Sequence, residues 1–188
     1  MKLLKSVLII AVVLTASAFT TPIKKTINVS ESSIVWTGKK ILGSHTGTIK
    51  LQEGYLEMDN DQLIGGMFVV DMTSIDVTDL EAGKGKEKLE GHLKSADFFG
   101  IDAHPTATLV ITKATKNGNT YDVNANLTIK GTTEAVNFEL EMGSSAAIAS
   151  LKVDRTKYGI RYGSGSFSDD LGDKAISDKF LLDVNLKF

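Results

Sequence analysis

From Thr26 onward, apolar and polar residues alternate in runs of eight to ten, the mark of strands with one buried and one wet face. Tyr121, Val123, Ala125, Leu127 and Ile129 point one way while Asp122, Asn124, Asn126, Thr128 and Lys130 point the other. The pattern returns in Val136, Phe138, Leu140 and Met142, in Ala147, Ala149, Leu151 and Val153, and in Phe180, Leu182, Val184, Leu186 and Phe188. Earlier strands are expected over residues 33–39, 46–51, 55–58 and 65–72, and another around Leu109. Such two-sidedness predicts antiparallel pairing. The connections carry turn chemistry: Asn117-Gly118 is a strong hairpin signal, and Gly131-Thr132-Thr133 and Gly143-Ser144-Ser145 mark further turns. About eight or nine strands in sequential hairpins fit an up-and-down barrel or a sandwich, and alternation alone does not separate the two.

Two stretches break the pattern. In the first, Leu89, His92, Leu93 and Ala96 recur at helical spacing, with Glu90 and Lys94 placed for a surface ion pair, before His104-Pro105 forces extended backbone and a strand from Thr106. Lys84, Lys86 and Lys88 ahead of it read as a solvated face. The second, from Arg155 to Lys174, is rich in glycine and holds Tyr158, Tyr162 and Phe167. It is either a functional rim or a bend whose aromatics seal the core.

The chain of 188 residues suffices for one domain. It has no cysteine, which excludes disulfides, thiolate zinc sites and a thiol nucleophile. Its net charge of −2 carries no nucleic-acid footprint. Residues 1–18 pair Lys2 and Lys5 with an apolar run from Val7 to Leu14 and end in Ala16-Ser17-Ala18, the layout of a cleavable export signal. The run is far short of the roughly 20 residues of a membrane span, so a single domain over residues 19–188, periplasmic or secreted and without an integral span, is expected.

Candidate chemistry is sparse. His45, His92 and His104 lack metal-ligand spacing, and no nucleophile elbow or phosphate-binding glycine loop occurs. Asp169-Asp170 and Asp173 do not match a calcium loop and read as a solvated turn. No metal and no cofactor is expected. His92 shares the apolar helical face, where its ring must find either a protein partner or the polar end of a ligand.

Several motifs together carry a resemblance: Gly43-Ser44-His45-Thr46-Gly47, Met72-Thr73-Ser74-Ile75, His92 to Phe99, Pro105-Thr106-Ala107-Thr108, Leu127 to Thr133 and Asp154 to Ile160. In order and spacing they resemble the YceI-like, polyisoprenoid-binding family of exported bacterial proteins. Two positions depart from that pattern, His104 in place of a tyrosine and Glu134-Ala135 in place of a lysine-proline pair. The resemblance implies an all-β, extended lipocalin-like antiparallel β-barrel with one short amphipathic helix. It further implies a non-enzymatic protein holding an apolar small molecule, an isoprenoid, fatty acid or quinone-like amphiphile, with a homodimer left open. The residues then expected to line the pocket are Trp36, Phe68, Leu93, Phe98, Phe138, Tyr158 and Tyr162, with His92 or Arg161 meeting the head group. An exported lipid-processing enzyme and a structural β-domain with a filled core are the alternatives. The small inward residues Ala125, Ala147 and Ala149 either leave room in a lumen or pack against large neighbours such as Phe138 and Phe180.

Overall fold

The computed structural model describes residues 21–188, so the export signal expected over residues 1–18 lies outside the described residues. The alternating segments form β1 (Ile23–Thr26), β2 (Ser33–Lys40), β3 (Ser44–Asp59), β4 (Gln62–Val77), β5 (Thr106–Asn117), β6 (Thr120–Ile129), β7 (Thr132–Met142), β8 (Ala146–Asp154) and β9 (Ile176–Lys187), and α1 spans Lys86–Lys94. From β2 to β9 each strand pairs antiparallel with the next, and β9 pairs back onto β2 through Trp36↔Leu182. The result is a closed antiparallel barrel of eight strands, the fold class expected from the resemblance. β1 is not a ninth wall strand: it pairs with Tyr55–Met58 on the edge of β3 whose other half pairs with β2, so the two lie end to end.

Two expected strands, 46–51 and 55–58, are one. A register shift between Leu51 and Glu53 lets β3 continue while its buried face switches from Gly47, Ile49 and Leu51 to Gly54 and Leu56. A bulge advances the inward phase by one residue, which reads in the sequence as a break. β4 likewise runs on past Met72. There Asp71 accepts hydrogen bonds from the Thr73 N–H (2.9 Å) and hydroxyl (2.6 Å), the Ser74 hydroxyl donates to the Asp71 carbonyl (2.6 Å), and the Lys50 N–H donates to Ser74 Oγ (2.8 Å).

The wall turns alternate between two ends. At one end the β3–β4 and β5–β6 hairpins lie with the β7–β8 turn; the Asn117-Gly118 signal is realised as the tight β5–β6 turn, with Asn117 paired to Thr120. At the other end lie the β2–β3 hairpin, α1, the β6–β7 turn and the long β8–β9 connection. α1 is tied to β4 by Glu90, which accepts from the Val77 N–H (2.9 Å) and pairs with Lys86 (3.7 Å), while Lys86 also reaches Asp76 (2.9 Å). The Glu90–Lys94 pairing expected from spacing gives way to this tertiary contact. Ala96 is also displaced from expectation: the helix ends at Lys94 and Ala96 is exposed in the following turn. That turn is fastened by Lys130, a residue at φ +51 in the β6–β7 hairpin, whose Nζ donates to the carbonyls of Ala96 (2.6 Å) and Phe98 (3.0 Å).

Candidate functional site: an apolar cavity in the barrel

The barrel interior is divided. At the end away from α1, Leu56, Leu63, Tyr121, Val123 and Ala147 are buried and form a packed floor, with the Leu63 N–H donating to the Tyr121 hydroxyl at 3.4 Å. Towards the α1 end lies a cavity of about 180 Å³ walled by residues of β2 to β9. Burial along single strands records the change: in β9, Leu186 is buried while Phe180, Leu182 and Val184 are only half-buried, and in β7 Leu140 is buried while Val136 and Phe138 are not. Phe138, Phe180, Leu182 and Val184 keep the inward alternation and line the cavity. Of the three small inward residues, Ala149 lines the cavity, whereas Ala125 and Ala147 belong to the packed core. Each reading of the alanines therefore holds for part of the barrel.

Two large rings are seated by glycines. Trp36 is the register partner of Gly47, and a Cβ added there would stand 2.5 Å from the indole and 1.9 Å from the Asp76 carbonyl oxygen. Phe68 is the register partner of Gly54, where a Cβ would stand 2.7 Å from the ring. In each pair the ring covers the missing side chain across the ladder, which fixes it against the cavity wall. The indole N–H donates to the Thr48 carbonyl (3.3 Å), so Trp36 offers the cavity an apolar surface.

The roof comes from the non-alternating stretches. Leu93 from α1, with Phe98 and Phe99 after it, lines the cavity, the two phenyl rings meeting edge to face at 5.1 Å. Beside them lies Arg155, 2% exposed, at the head of the single-turn 3-10 helix Arg155–Tyr158. Its Nε donates to the Ser177 carbonyl (2.9 Å), Nη1 to that of Ile160 (2.9 Å) and Nη2 to that of Ile176 (3.0 Å); Asp178 stands 3.8 Å away and the Phe98 ring centroid 5.7 Å away. Burial pulls the guanidinium below its ordinary pKa, while the charges of Asp178 and Asp154 oppose the shift. The hydroxyls of Ser164 and Ser166 hold the Asp178 carboxyl below the usual range. Arg155 is the strongest polar feature of a wall that is otherwise almost wholly apolar, joined only by Thr108, Ser177 and Lys179.

Of the residues expected to line a pocket, Trp36, Phe68, Leu93, Phe98 and Phe138 are in the cavity wall. Tyr158 and Tyr162 stand outside it. Tyr158 is buried in the apolar core cluster, on the 3-10 helix that contacts β7 and β9, and Tyr162 is 52% exposed with its ring 4.3 Å from that of His92. Neither head-group candidate reaches the cavity wall: His92 lies between Phe98 and Tyr162, and the exposed Arg161 stacks on Phe167 at 4.5 Å. The helical spacing that puts His92 on the face of Leu89 and Leu93 sets its ring against Phe98 and Tyr162, and Arg161 sits where no periodicity fixes the direction of a side chain. The missed residue is Arg155, and a signal for it existed: it continues the inward series Leu151, Val153 by parity. The unusual His104 packs against the β6–β7 turn, within 3.3 Å of where a Gly131 Cβ would lie, and does not line the cavity. Among the described residues no group of three or more His, Cys, Asp or Glu is placed to hold a metal ion, and no helix is long and apolar enough to cross a membrane.

With this geometry in view, the comparisons with known proteins converge. The model of the YceI-like domain matches residues 26–188. The chain belongs to the YceI-like family. A UPF0312 protein of Pectobacterium atrosepticum is 33% identical over 73 residues, 39% of this chain and 34% of that protein, and Protein YceI of Escherichia coli is 33% identical over 73 residues, covering 39% and 35%. The aligned part thus spans about a third of the curated relatives' length. Among solved structures, Burkholderia cenocepacia BcnA superposes with a TM-score of 0.68 at 20% identity over 85% of this chain and 98% of that one. A polyisoprenoid-binding domain from Saccharophagus degradans gives 0.61 at 14% identity over 86% and 95%. At these identities the YceI-like neighbours establish the shared barrel.

Proposed function

We propose that this protein is an exported, non-enzymatic carrier that holds the apolar tail of an amphiphile, an isoprenoid, fatty acid or quinone-like molecule, in the barrel cavity. The observation that carries this reading is the cavity itself, an almost uninterrupted apolar space above a packed floor. Transfer of hydrocarbon into it yields about 0.8 kcal/mol per methylene and needs no directional contact. The Saccharophagus neighbour, described as a polyisoprenoid-binding domain, favours the isoprenoid among these ligands. Trp36, Phe68, Leu93, Phe98 and Phe138 would touch the tail. In place of His92 and Arg161, the head group falls to Arg155 with Ser177 and Lys179, because these are polar residues of the wall at the α1 end. Export rests on the signal-like layout of residues 1–18.

The test is organic extraction and native mass spectrometry of the purified chain, with uptake of cis-parinarate followed by fluorescence. Ala149→Leu, which fills the cavity from a wall position, is expected to abolish uptake while the protein stays folded. Uptake by Ala149→Leu equal to that of the parent, or extraction of no lipid together with no uptake by the parent, would refute the carrier reading.

A further inference from the structure

The hairpin turns of the wall differ in what they hold at their centres. β3–β4 turns through Asn60-Asp61, β5–β6 through Gly118-Asn119, β6–β7 through Lys130-Gly131 and β7–β8 through Gly143-Ser144-Ser145, all polar or glycine, as suits a solvated turn. The β2–β3 turn, closed by the Lys40 N–H on the Gly43 carbonyl (2.8 Å), instead carries Ile41 and Leu42, which are 61% and 73% exposed. Turn geometry does not ask for two aliphatic side chains there, and side chains so exposed contribute little to the core. A local rule broken without a structural return points to function.

A second apolar pair, Tyr162 and Phe167, is about half exposed on the neighbouring β8–β9 connection. The two elements are fastened together: the Ile41 N–H donates to the Ala175 carbonyl (3.3 Å), the Ile176 N–H donates to the Gly163 carbonyl (2.7 Å), and Ile41, Ser166 and Ile176 face one groove between them. Ile176 and Ser177 belong both to this groove and to the cavity wall, so the exposed strip borders the cavity at the α1 end. Lys39, Lys40, Arg161 and Lys174 flank the strip against Asp169, Asp170 and Asp173, which leaves it near neutral. The Arg161 guanidinium rests on the Phe167 ring at 4.5 Å.

We infer that the Ile41-Leu42 tip, with Tyr162 and Phe167 beside it, is a docking surface for a lipid bilayer, into whose headgroup–acyl boundary these side chains insert. The choice of a bilayer as partner rests on the carrier reading above, since an apolar cargo resides in membranes and not in water. Aliphatic tips with aromatic and long cationic side chains around them are the composition that settles at that boundary, rings at headgroup level and cations reaching to water. A second copy of the chain would ask for a packed, continuous face of about 800 Å² per partner, whereas the apolar residues here are tips on two connections with a groove between them. With the flanking charges near balance, insertion rather than attraction to anionic lipid carries the attachment.

The chain contains no cysteine, so a single label reports a single position. Leu42→Cys and Ile148→Cys, each carrying an environment-sensitive NBD fluorophore, are titrated with phosphatidylcholine vesicles; Ile148 is the control, a half-exposed wall residue between Glu141 and Asn185. The Leu42 label is expected to shift to the blue and to be quenched by doxyl-labelled lipid, and the Ile148 label to do neither. In the unlabelled protein, Ile41→Ser/Leu42→Ser is expected to lower partitioning into the vesicles roughly tenfold or more, while uptake of cis-parinarate from solution is unchanged. A Leu42 label blind to vesicles, equal responses at Leu42 and Ile148, or unchanged partitioning of the double variant overturns the bilayer surface. A Leu42 label that responds to protein concentration without vesicles overturns it in favour of a second copy. Absence of cis-parinarate uptake by the parent overturns the carrier reading instead, and the Leu42 label reads docking in either case.

Discussion

Tyr158 is 2% exposed and its hydroxyl has no hydrogen-bond partner. An unsatisfied buried hydroxyl costs about 1–3 kcal/mol, so the ring's packing must outweigh it. Burial, reinforced by the carboxylates of Glu134 and Asp154, pushes the phenol up to about 12 from its ordinary 10. The folded state therefore prefers the neutral phenol. That preference is fully present below the unfolded value of 10 and is lost as pH rises through about 12. At 1.36 kcal/mol per unit, the loss is on the order of 2–3 kcal/mol. Tyr158→Phe should keep the packing, be neutral or stabilising by about 1 kcal/mol near pH 7, and unfold in urea with a weaker alkaline dependence than the parent. An identical alkaline fall in both proteins would show that the hydroxyl is not buried as described. Tyr158 also shows what a sequence conceals at this scale: its burial is invisible in a glycine-rich loop, whereas the parity of Arg155 with Leu151 and Val153 was there to be read.

The β8–β9 connection has little hydrophobic periodicity of its own; it is anchored by the buried Tyr158 and Ile160, by Ser166 on Asp178, and by Arg155. Arg155 binds three backbone carbonyls, of Ile160, Ile176 and Ser177, that belong to both ends of the connection. A lysine keeps the charge but has no planar fork, so it cannot reach all three carbonyls at once. Arg155→Lys is expected to destabilise the protein by on the order of 2–4 kcal/mol. Urea unfolding measures this, and a change within error of zero would mean that the connection is held by other contacts. Elements that keep strict alternation, such as β6 and β8, were legible with nearly correct bounds. β3 and β4 were not, because a bulge changes the inward phase without a turn residue to announce it; only the register shows that residues 46–51 and 55–58 belong to one strand.

Across the whole molecule, alternation identifies which face of each strand points inward but not what stands opposite it. Barrel closure was therefore reached by resemblance, and the division into floor and cavity emerged only in three dimensions. The strand pairing predicts the pattern of amide exchange. In β6, paired on both edges over most of its length, amides should exchange slowly throughout; in Thr132–Glu139 of β7, every second amide should exchange fast, because its partner strand is absent. Uniform protection along β7, measured by hydrogen exchange with NMR detection, would contradict a β7–β8 pairing confined to Leu140, Glu141 and Met142 of β7. The floor of Leu56, Leu63, Tyr121, Val123 and Ala147 has a consequence for traffic. A tube blocked at its base is a thimble rather than a pipe: on the carrier reading proposed above, a tail would enter from the α1 end, stop at the floor and leave by the same end.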